Sequence, residues 1–185
     1  MKFLFQKFFV FIATILFIYP CAIGFAQTTG LSTVAGTGSA GFSGDGGAAT
    51  AAQLNAPAGV AVDKSGNFYV ADASNGRLRK VSGGTISSVG GTFQHPVDVA
   101  VDPTGNFVYI ADPPANRVYE LNVSAGTIAT IAGTGTAGFD TQDLSNNAKI
   151  NNPMGVATDS VGNLYIADTG NHRVRKILIY SGLIG

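Results

Sequence analysis

Short apolar runs, separated by turns that contain Asp and Gly, recur along most of the chain. Residues 60–62 form an apolar run typical of a buried inner strand, and residues 68–71 form a second one after a polar turn. Residues 77–81 alternate charged and apolar side chains, so we expect Leu78 to lie between two solvated arginines. Residues 85–89 are a fourth, β-branched run. The pattern therefore predicts four antiparallel strands in succession.

The same pattern occurs three times. PAGVAVDKSGNFYVADASNGRLRKV begins at Pro57, PVDVAVDPTGNFVYIADPPANRVYEL at Pro96, and PMGVATDSVGNLYIADTGNHRVRKI at Pro153. A period of about 40 residues with four strands per period is typical of a β-propeller blade. A lone four-stranded sheet would leave both faces in water, so blades must stack on one another. The sequence predicts an all-β fold, a β-propeller of four-stranded blades, with repeats at about 57–90, 96–132 and 153–185.

Two longer connectors also match each other, over residues 36–56 and 133–152. Residues 31–36 are similar to residues 128–133, so an outer strand is expected there as well. The third repeat breaks off at Ser181, where its outer strand begins. We therefore expect an incomplete propeller of about three blades, truncated at its C-terminus. Such an arc would have two bare blade faces and unpaired strand edges, which favour self-association.

The repeated pattern GVAVD…GN.Y.AD…N.R.RK and the connector GFSGDGGAATAAQLNAP resemble the NHL-repeat family. The resemblance covers residues 29–185. It implies a β-propeller, commonly with six blades. It does not imply one function, because relatives include RNA- or protein-binding domains, bacterial kinase sensor domains and a metal-dependent peptide-amidating lyase.

Residues 1–26 read as a secretory signal peptide. Two lysines precede the apolar run 8–18, and small residues stand three and one positions before Gln27. The short run with few positive charges is typical of a bacterial leader. An uncleaved membrane anchor is the alternative, and a lipoprotein anchored at Cys21 is disfavoured because Pro20 precedes that cysteine. We expect cleavage before Gln27, which leaves a secreted or periplasmic propeller domain with no membrane contact.

Charge and cysteine content narrow the partners further. The chain has 11 basic and 11 acidic residues, and two of the lysines belong to the leader. The mature domain therefore has no positive field that would attract nucleic acid or an anionic membrane. The only cysteine, Cys21, lies in the leader, so we expect neither disulfides nor thiolate metal sites in the mature chain. No cofactor is expected.

Two sets of aspartates recur once per repeat, and we interpret both as structural. The first set precedes Gly-Asn turns and caps them, because a calcium loop would need oxygen ligands at alternate positions where Lys64, Pro103 and Val161 stand. The second set closes the second strand and is expected to satisfy turn amides. The first set is Asp63, Asp102 and Asp159, and the second is Asp72, Asp112 and Asp168.

Three other features bear on metal or nucleotide binding. Asp45 could help to bind a cation with backbone carbonyls, but a flexible Gly-rich turn is the favoured interpretation. The G-x-G-x-x-G matches that begin at Gly36 and Gly133 open no helix, so a dinucleotide site is rejected. His95 and His172 are the only histidines, and two residues in different structural positions cannot form a lyase-type zinc site. We predict no metal site.

An arginine opens the third strand of every repeat. A solvated strand face with ion pairs to neighbouring blades is the favoured interpretation, and a ligand-facing cluster is the alternative. These candidate ligand-binding residues are Arg77, Arg117 and Arg173. No catalytic residue is predicted. We expect an extracytoplasmic binding or scaffolding module for protein, peptide or glycan. The alternative is an enzyme, a metal-dependent lyase- or lactonase-like propeller.

Overall fold

The computed structural model describes residues 30–140 and 147–179. The expected signal peptide, residues 1–26, lies outside the described residues, and so does the outer strand expected from Ser181 onward. Across the two described ranges, no helix is long and apolar enough to span a bilayer.

In the part of the chain that the structure describes, the strands form three antiparallel sheets, each with its strands in chain order. Blade 1 contains β1 (Pro57–Val62), β2 (Phe68–Asp72), β3 (Arg77–Ser82) and β4 (Thr85–Val89). Blade 2 contains β5 (Asp98–Val101), β6 (Phe107–Asp112), β7 (Arg117–Asn122) and β8 (Thr127–Ala132). Blade 3 contains β9 (Pro153–Thr158), β10 (Leu164–Asp168) and β11 (Arg173–Ile177). Such up-and-down sheets are the blades of a propeller, and the predicted fold class is confirmed.

The turn between the first two strands has the same backbone in every blade. Gly66, Gly105 and Gly162 have φ values of 81°, 79° and 91°. This left-handed region is open to glycine at little cost, because glycine has no Cβ to meet the following carbonyl. The position of the glycine in each repeat therefore fixes where the first hairpin turns.

The apolar cores lie between the blades. Blades 1 and 2 meet through the buried residues Tyr69, Ala71, Leu78, Phe93, Val99, Val108, Ile110 and Leu121. Blades 2 and 3 meet through the buried residues Ala100, Tyr109, Ala111, Val118, Ala132, Ile150, Val156, Leu164 and Ile166. Polar contacts also join the inner strands of blades 2 and 3. Val156 N donates to Asp98 Oδ2 at 2.9 Å, and Thr158 Oγ1 donates to Val101 O at 2.8 Å.

The connector 36–56 packs on the face of blade 1 that points away from blade 2. Its residues Ala49 and Ala52 are buried against Val81 and Ile86. The connector also extends the outer edge of β4, because Gly46 N donates to Ile86 O at 2.8 Å and Ile86 N donates to Gly47 O at 3.0 Å. The expected bare face of blade 1 is therefore covered in its outer part. Only the inner part, around Val60 and Val62, stays open.

The expected outer strand over residues 31–36 is wrong, because the structure has no strand there. A strand needs a sheet edge to pair with, and residues 31–36 pair with none of the three described sheets. Gly36 N instead donates to Ala49 O within the connector at 2.9 Å. The two segments share their backbone conformation at the last position, where Gly36 and Gly133 have the same φ of 93° and begin the two connectors.

Candidate functional site

One rim of blades 1 and 3 carries the connector and the turn between the second and third strands. We call it the connector rim. In blade 1, Asn75 Nδ2 donates to Gly41 O and to Asp72 Oδ2, both at 2.8 Å. In blade 3, Asn171 Nδ2 repeats the contacts, with Gly138 O at 2.7 Å and Asp168 Oδ2 at 2.9 Å. In both blades, an asparagine at the equivalent position thus binds the connector to the turn.

The aspartates that close the second strands are fully buried and accept backbone amides. Asp72 accepts Asn55 N at 2.7 Å, and Asp168 accepts Asn151 N at 2.7 Å. Asp112 accepts the amides of Gln94 at 2.8 Å and His95 at 3.0 Å. The expectation that this set satisfies turn amides needs one correction. The amides named here belong to the chain entering the blade, so each aspartate fixes where that segment meets the sheet.

Arg79 is fully buried, which corrects the expectation of a solvated side chain. Its neighbour Leu78 faces blade 2, so Arg79 points to the opposite face, beneath the connector. There Nη1 lies 3.2 Å from Asp72 Oδ2 and Nη2 lies 2.7 Å from Asp45 Oδ1. The interpretation of the Asp45 segment as a flexible turn is also wrong, because this ion pair and the backbone bonds to Ile86 hold the segment on the blade.

Blade 3 contains a looser version of the same ion pair. Arg175 Nη1 lies 3.5 Å from Asp168 Oδ2, and the arginine side chain is partly exposed. Sequence reasoning missed both pairs, although Asp72 and Arg79 have the same spacing as Asp168 and Arg175. That spacing puts each pair diagonally on one sheet face, since Asp72 pairs with Arg77 in the ladder. Blade 2 has Tyr119 at the arginine position.

The three candidate arginines have different surroundings. The Arg77 guanidinium lies 5.7 Å from the centroid of the Phe42 ring, to which the buried Arg79 is nearer at 5.0 Å. The Arg173 guanidinium lies 3.8 Å from the centroid of the Phe139 ring. Arg117 Nη2 donates to Thr134 O at 3.0 Å. Within residues 30–140 and 147–179, these three arginines form none of the ion pairs that were expected. Two of them instead accompany an aromatic ring.

The two phenylalanines are exposed at the connector rim. Phe42 is 50% exposed and Phe139 is 40% exposed. Blade 2 precedes the connector that carries Phe139, whereas no described blade precedes the connector that carries Phe42. The two rings are nonetheless similarly exposed. Their exposure therefore results from their position at the rim and not from the absence of a preceding blade. We call Phe42, Arg77, Phe139 and Arg173 the Phe–Arg rim.

The turns between the first and second strands are capped as predicted. Asp63 accepts Ser65 N at 2.8 Å and Asn67 N at 3.0 Å. Asp102 accepts Phe107 N at 2.7 Å, and Asp159 accepts Asn163 N at 2.8 Å. These side chains are occupied by the turn, which supports a structural role.

The capping hydrogen bonds also lower the pKa values of the capping aspartates. Burial opposes ionisation of Asp102, but hydrogen bonds from Thr104 and Phe107 outweigh it and hold the Asp102 pKa below the ordinary value of 3.8. Burial likewise opposes ionisation of Asp63, and the bonds from Asn67 hold its pKa below 3.8. In both cases the folded state prefers the carboxylate.

We predict that acid destabilises the fold through these turns. A carboxyl group with a lowered folded-state pKa stabilises the protein above its unfolded-state pKa, and the contribution disappears as pH falls through the folded-state value. Urea unfolding from pH 7 down to pH 3 should therefore give a falling free energy of unfolding below about pH 4. The variant Asp102→Asn keeps an acceptor for Phe107 N and should lose less stability over that interval than the native chain. Equal losses would contradict the assignment.

No three His, Cys, Asp or Glu side chains lie together as metal ligands would, within the described ranges 30–140 and 147–179. His95 precedes β5, and His172 lies in the turn before β11, where its φ is 53°.

Stacked antiparallel blades of four or three strands, with a rim that recurs in blades 1 and 3, define a β-propeller built from sequence repeats. The chain matches the teneurin NHL domain over residues 27–95 and the NHL repeat over residues 151–177. It belongs to the NHL-repeat family, as the sequence pattern predicted.

Several known proteins are similar to this chain. NHL repeat-containing protein 2 of Homo sapiens is 27% identical over 160 residues, which are 85% of this chain and 21% of that protein. The chloroplastic protein SUPPRESSOR OF QUENCHING 1 of Arabidopsis thaliana is 33% identical over 89 residues, which are 48% of this chain and 8% of that protein. The chain thus spans about a fifth of the length of the human relative.

Solved structures share the fold. A Bacteroides thetaiotaomicron protein of unknown function aligns with a TM-score of 0.53 and 23% identity, over 60% of this chain and 32% of that one. Kuenenia stuttgartiensis hydrazine synthase aligns with a TM-score of 0.50 and 17% identity, over 69% of this chain and 37% of that one. At this identity the likeness concerns the fold alone.

Proposed function

We propose that this chain is an extracytoplasmic binding or scaffolding module that recognises a protein, peptide or glycan through the Phe–Arg rim. The observation that carries the proposal is an exposed phenylalanine with an arginine beside it, present at the same place in blades 1 and 3. Aromatic side chains, phenylalanine among them, and arginine are enriched in the cores of protein–protein interfaces. The rim lies on loops held by a rigid sheet, which is where binding residues concentrate.

The surroundings of the rings favour binding over simple packing. The Arg173 guanidinium is held 3.8 Å from the centre of the Phe139 ring, so part of the ordering cost is met before a ligand arrives. Asn75 and Asn171 fix the connectors through the carbonyls of Gly41 and Gly138, each next to a phenylalanine. Because the two rims are repeated, one elongated ligand can engage both and gain affinity from each.

Arrays of peptides and glycans, incubated with the purified chain, test this proposal. The double variant Phe42→Ala, Phe139→Ala should bind an array ligand at least about tenfold more weakly, which corresponds to about 1.4 kcal/mol. Neither ring is part of a buried core, since 50% of Phe42 and 40% of Phe139 are exposed, so the melting temperature should change little. A matched control is Lys64→Ala, since Lys64 is exposed in the turn at the opposite rim.

Two results would contradict the proposal. The first is that the array detects no ligand. The second is that the double variant Phe42→Ala, Phe139→Ala binds an identified ligand as well as the control Lys64→Ala does. Arg173→Lys adds a finer comparison, because it keeps the charge but loses the planar guanidinium over Phe139.

The extracytoplasmic part of the proposal predicts cleavage before Gln27. A basic start, an apolar run and small residues at the cut occur in the order that a signal peptidase requires. The match to the teneurin NHL domain also begins at residue 27, which supports a boundary there. N-terminal sequencing of the protein exported by an expressing bacterium should read Gln27-Thr28-Thr29. Export of a form that retains residues 1–26 would favour a membrane anchor.

A further inference from the structure

An open depression lies beside Arg77, where a short link joins blade 1 to blade 2. We call it the Arg77 depression. It has a volume of about 440 Å³, and the six residues that line it are Arg77 and residues 88–92. Arg77 is the only charged residue among the six. The carboxylate of Asp45, which lies near Ser88, is held by Arg79 at 2.7 Å. The depression therefore has a positive charge and no carboxylate in its lining.

The equivalent arginine of blade 2 has its acceptor within the chain. Arg117 Nη2 donates to Thr134 O at 3.0 Å, and Gly135 lies directly against the same guanidinium. The start of the second connector thus gives Arg117 both an oxygen acceptor and a cover. Gly91-Thr92 stands in the sequence where Gly133-Thr134 stands, shortly after the fourth strand of its blade. The Arg77 depression is therefore the place that a long connector fills after blade 2.

The link after blade 1 turns into the core instead of covering Arg77. Phe93 is buried, its amide donates to Gly76 O at 3.0 Å, and its ring packs edge-on against Tyr119 with the centroids 5.4 Å apart. Within residues 30–140 and 147–179, the arginines whose side chains donate hydrogen bonds are Arg79, Arg117 and Arg175. Arg77 is not among them, so its guanidinium keeps all its donors for a ligand.

Backbone donors line the same depression. Gly90, Gly91 and Thr92 are exposed. In the part of the chain that the structure describes, their three amides donate to no other residue. A planar guanidinium binds a carboxylate through two parallel N–H···O bonds, which are stronger than neutral hydrogen bonds. Adjacent amides suit carbonyl oxygens, the acceptors with which backbone amides ordinarily pair.

We propose that the Arg77 depression binds an Asp or Glu carboxylate of an acidic peptide. The inference rests on the proposed binding at the Phe–Arg rim and names the chemistry of the ligand there. The Arg77 guanidinium lies 5.7 Å from the centroid of the Phe42 ring, so the carboxylate and a neighbouring apolar side chain of one peptide can contact both residues. A peptide is favoured over an acidic glycan because it carries a carbonyl acceptor at every residue, which matches three successive amides.

Gly91 allows the depression to be filled without disturbing the fold. A Cβ at this position would meet no atom within 4 Å, and the φ of Gly91 lies outside the left-handed region. Gly91→Asp therefore adds a carboxylate to the lining that contains Arg77. Gly91→Asn adds a neutral side chain of the same size and is the matched control for the charge.

Fluorescence anisotropy with the full chain tests the proposal. The probes are short labelled peptides that carry Asp or Glu next to an apolar residue, their Asn or Gln counterparts, and oligogalacturonate as an acidic glycan. The acidic peptides should bind at least about tenfold more tightly than their amide counterparts. Gly91→Asp and Arg77→Gln should each remove at least about tenfold of that affinity, and Gly91→Asn should remove clearly less. Arg117→Gln should bind as the native chain does, because Thr134 O already occupies that guanidinium.

Three results would overturn the proposal. The first is equal affinity of the native chain for the acidic peptides and their amide counterparts. The second is equal affinity of Gly91→Asp and Gly91→Asn for an acidic peptide. The third is binding of oligogalacturonate, and of no acidic peptide, with the same dependence on Arg77.

The double variant Phe42→Ala, Phe139→Ala separates this inference from the proposed function. An acidic peptide that is weakened by Gly91→Asp but not by the double variant supports the Arg77 depression and contradicts the Phe–Arg rim. A ligand that is weakened by the double variant but not by Gly91→Asp leaves the Phe–Arg rim standing and overturns the Arg77 depression. All variants should keep the native far-UV spectrum, since none of the changed side chains is buried.

Discussion

Replacing Arg79 with Met is expected to lower the free energy of unfolding by about 3–5 kcal/mol. Methionine fills similar space, but it leaves the carboxylate of Asp72 buried without its cationic partner, which lies 3.2 Å away in the native chain. Removing one member of a buried pair costs much more than the pair contributes, because the remaining charge stays desolvated. Urea unfolding at a fixed protein concentration measures the change, since association would shift apparent stability.

Blade 3 supplies the matched control. Arg175→Met removes the equivalent arginine, but that side chain is partly exposed and lies 3.5 Å from Asp168, so water can replace it and the loss should be clearly smaller. A second variant isolates the charge. Adding Asp72→Asn to Arg79→Met keeps an acceptor for Asn55 N and removes the buried charge, so part of the lost stability should return. Equal losses for Arg79→Met and Arg175→Met would contradict the argument.

The second large effect is expected for Gly133→Ala, with a loss of about 2–5 kcal/mol from overlap together with backbone strain. Gly133 begins the second connector at a φ of 93°. A Cβ there would overlap the backbone carbonyl oxygen of Asn116 and lie 3.0 Å from Arg117 Cα. Both neighbours are main-chain atoms of blade 2, so neither can rotate away as a flexible side chain could.

The control for Gly133→Ala is Gly162→Ala. Gly162 has nearly the same φ, 91°, but the nearest atom to its added Cβ is Pro103 Cδ at 4.0 Å. It therefore carries the left-handed strain without the overlap, about 1–2 kcal/mol. Thermal and urea unfolding of the two variants separate the cost of the overlap from the cost of the left-handed backbone strain. A loss at Gly133 no greater than at Gly162 would show that the connector moves aside freely.

The Phe–Arg rim could be predicted only in part from the sequence. The recurrence of Arg77 and Arg173 was visible, and so was the likeness of the two connectors. The aromatic partners were not, because Phe42 lies far from Arg77 along the chain and only the folded connector brings their side chains together. A contact between distant residues depends on the whole path between them.

The sequence by itself determined the blade and its turns. Gly66 and Asp63 specify the first hairpin through bonds that span at most four residues, so the result does not depend on any other blade. Short apolar or β-branched runs likewise placed three strands of each blade, and alternation of charged and apolar side chains placed the third, because side chains on a strand point to opposite faces in turn. Turns and strands that depend only on neighbouring residues can therefore be predicted directly from the sequence.

Only the tertiary structure decided which faces are covered. Val60, Val99 and Val156 are the same residue in the same local pattern, yet one is exposed and two are buried. Arg79 alternates with Leu78 as a surface arginine would, but the first connector folds over it and supplies Asp45. Burial is a property of what lies next to a strand in space, and nothing within one repeat records whether a blade, a connector or water is there.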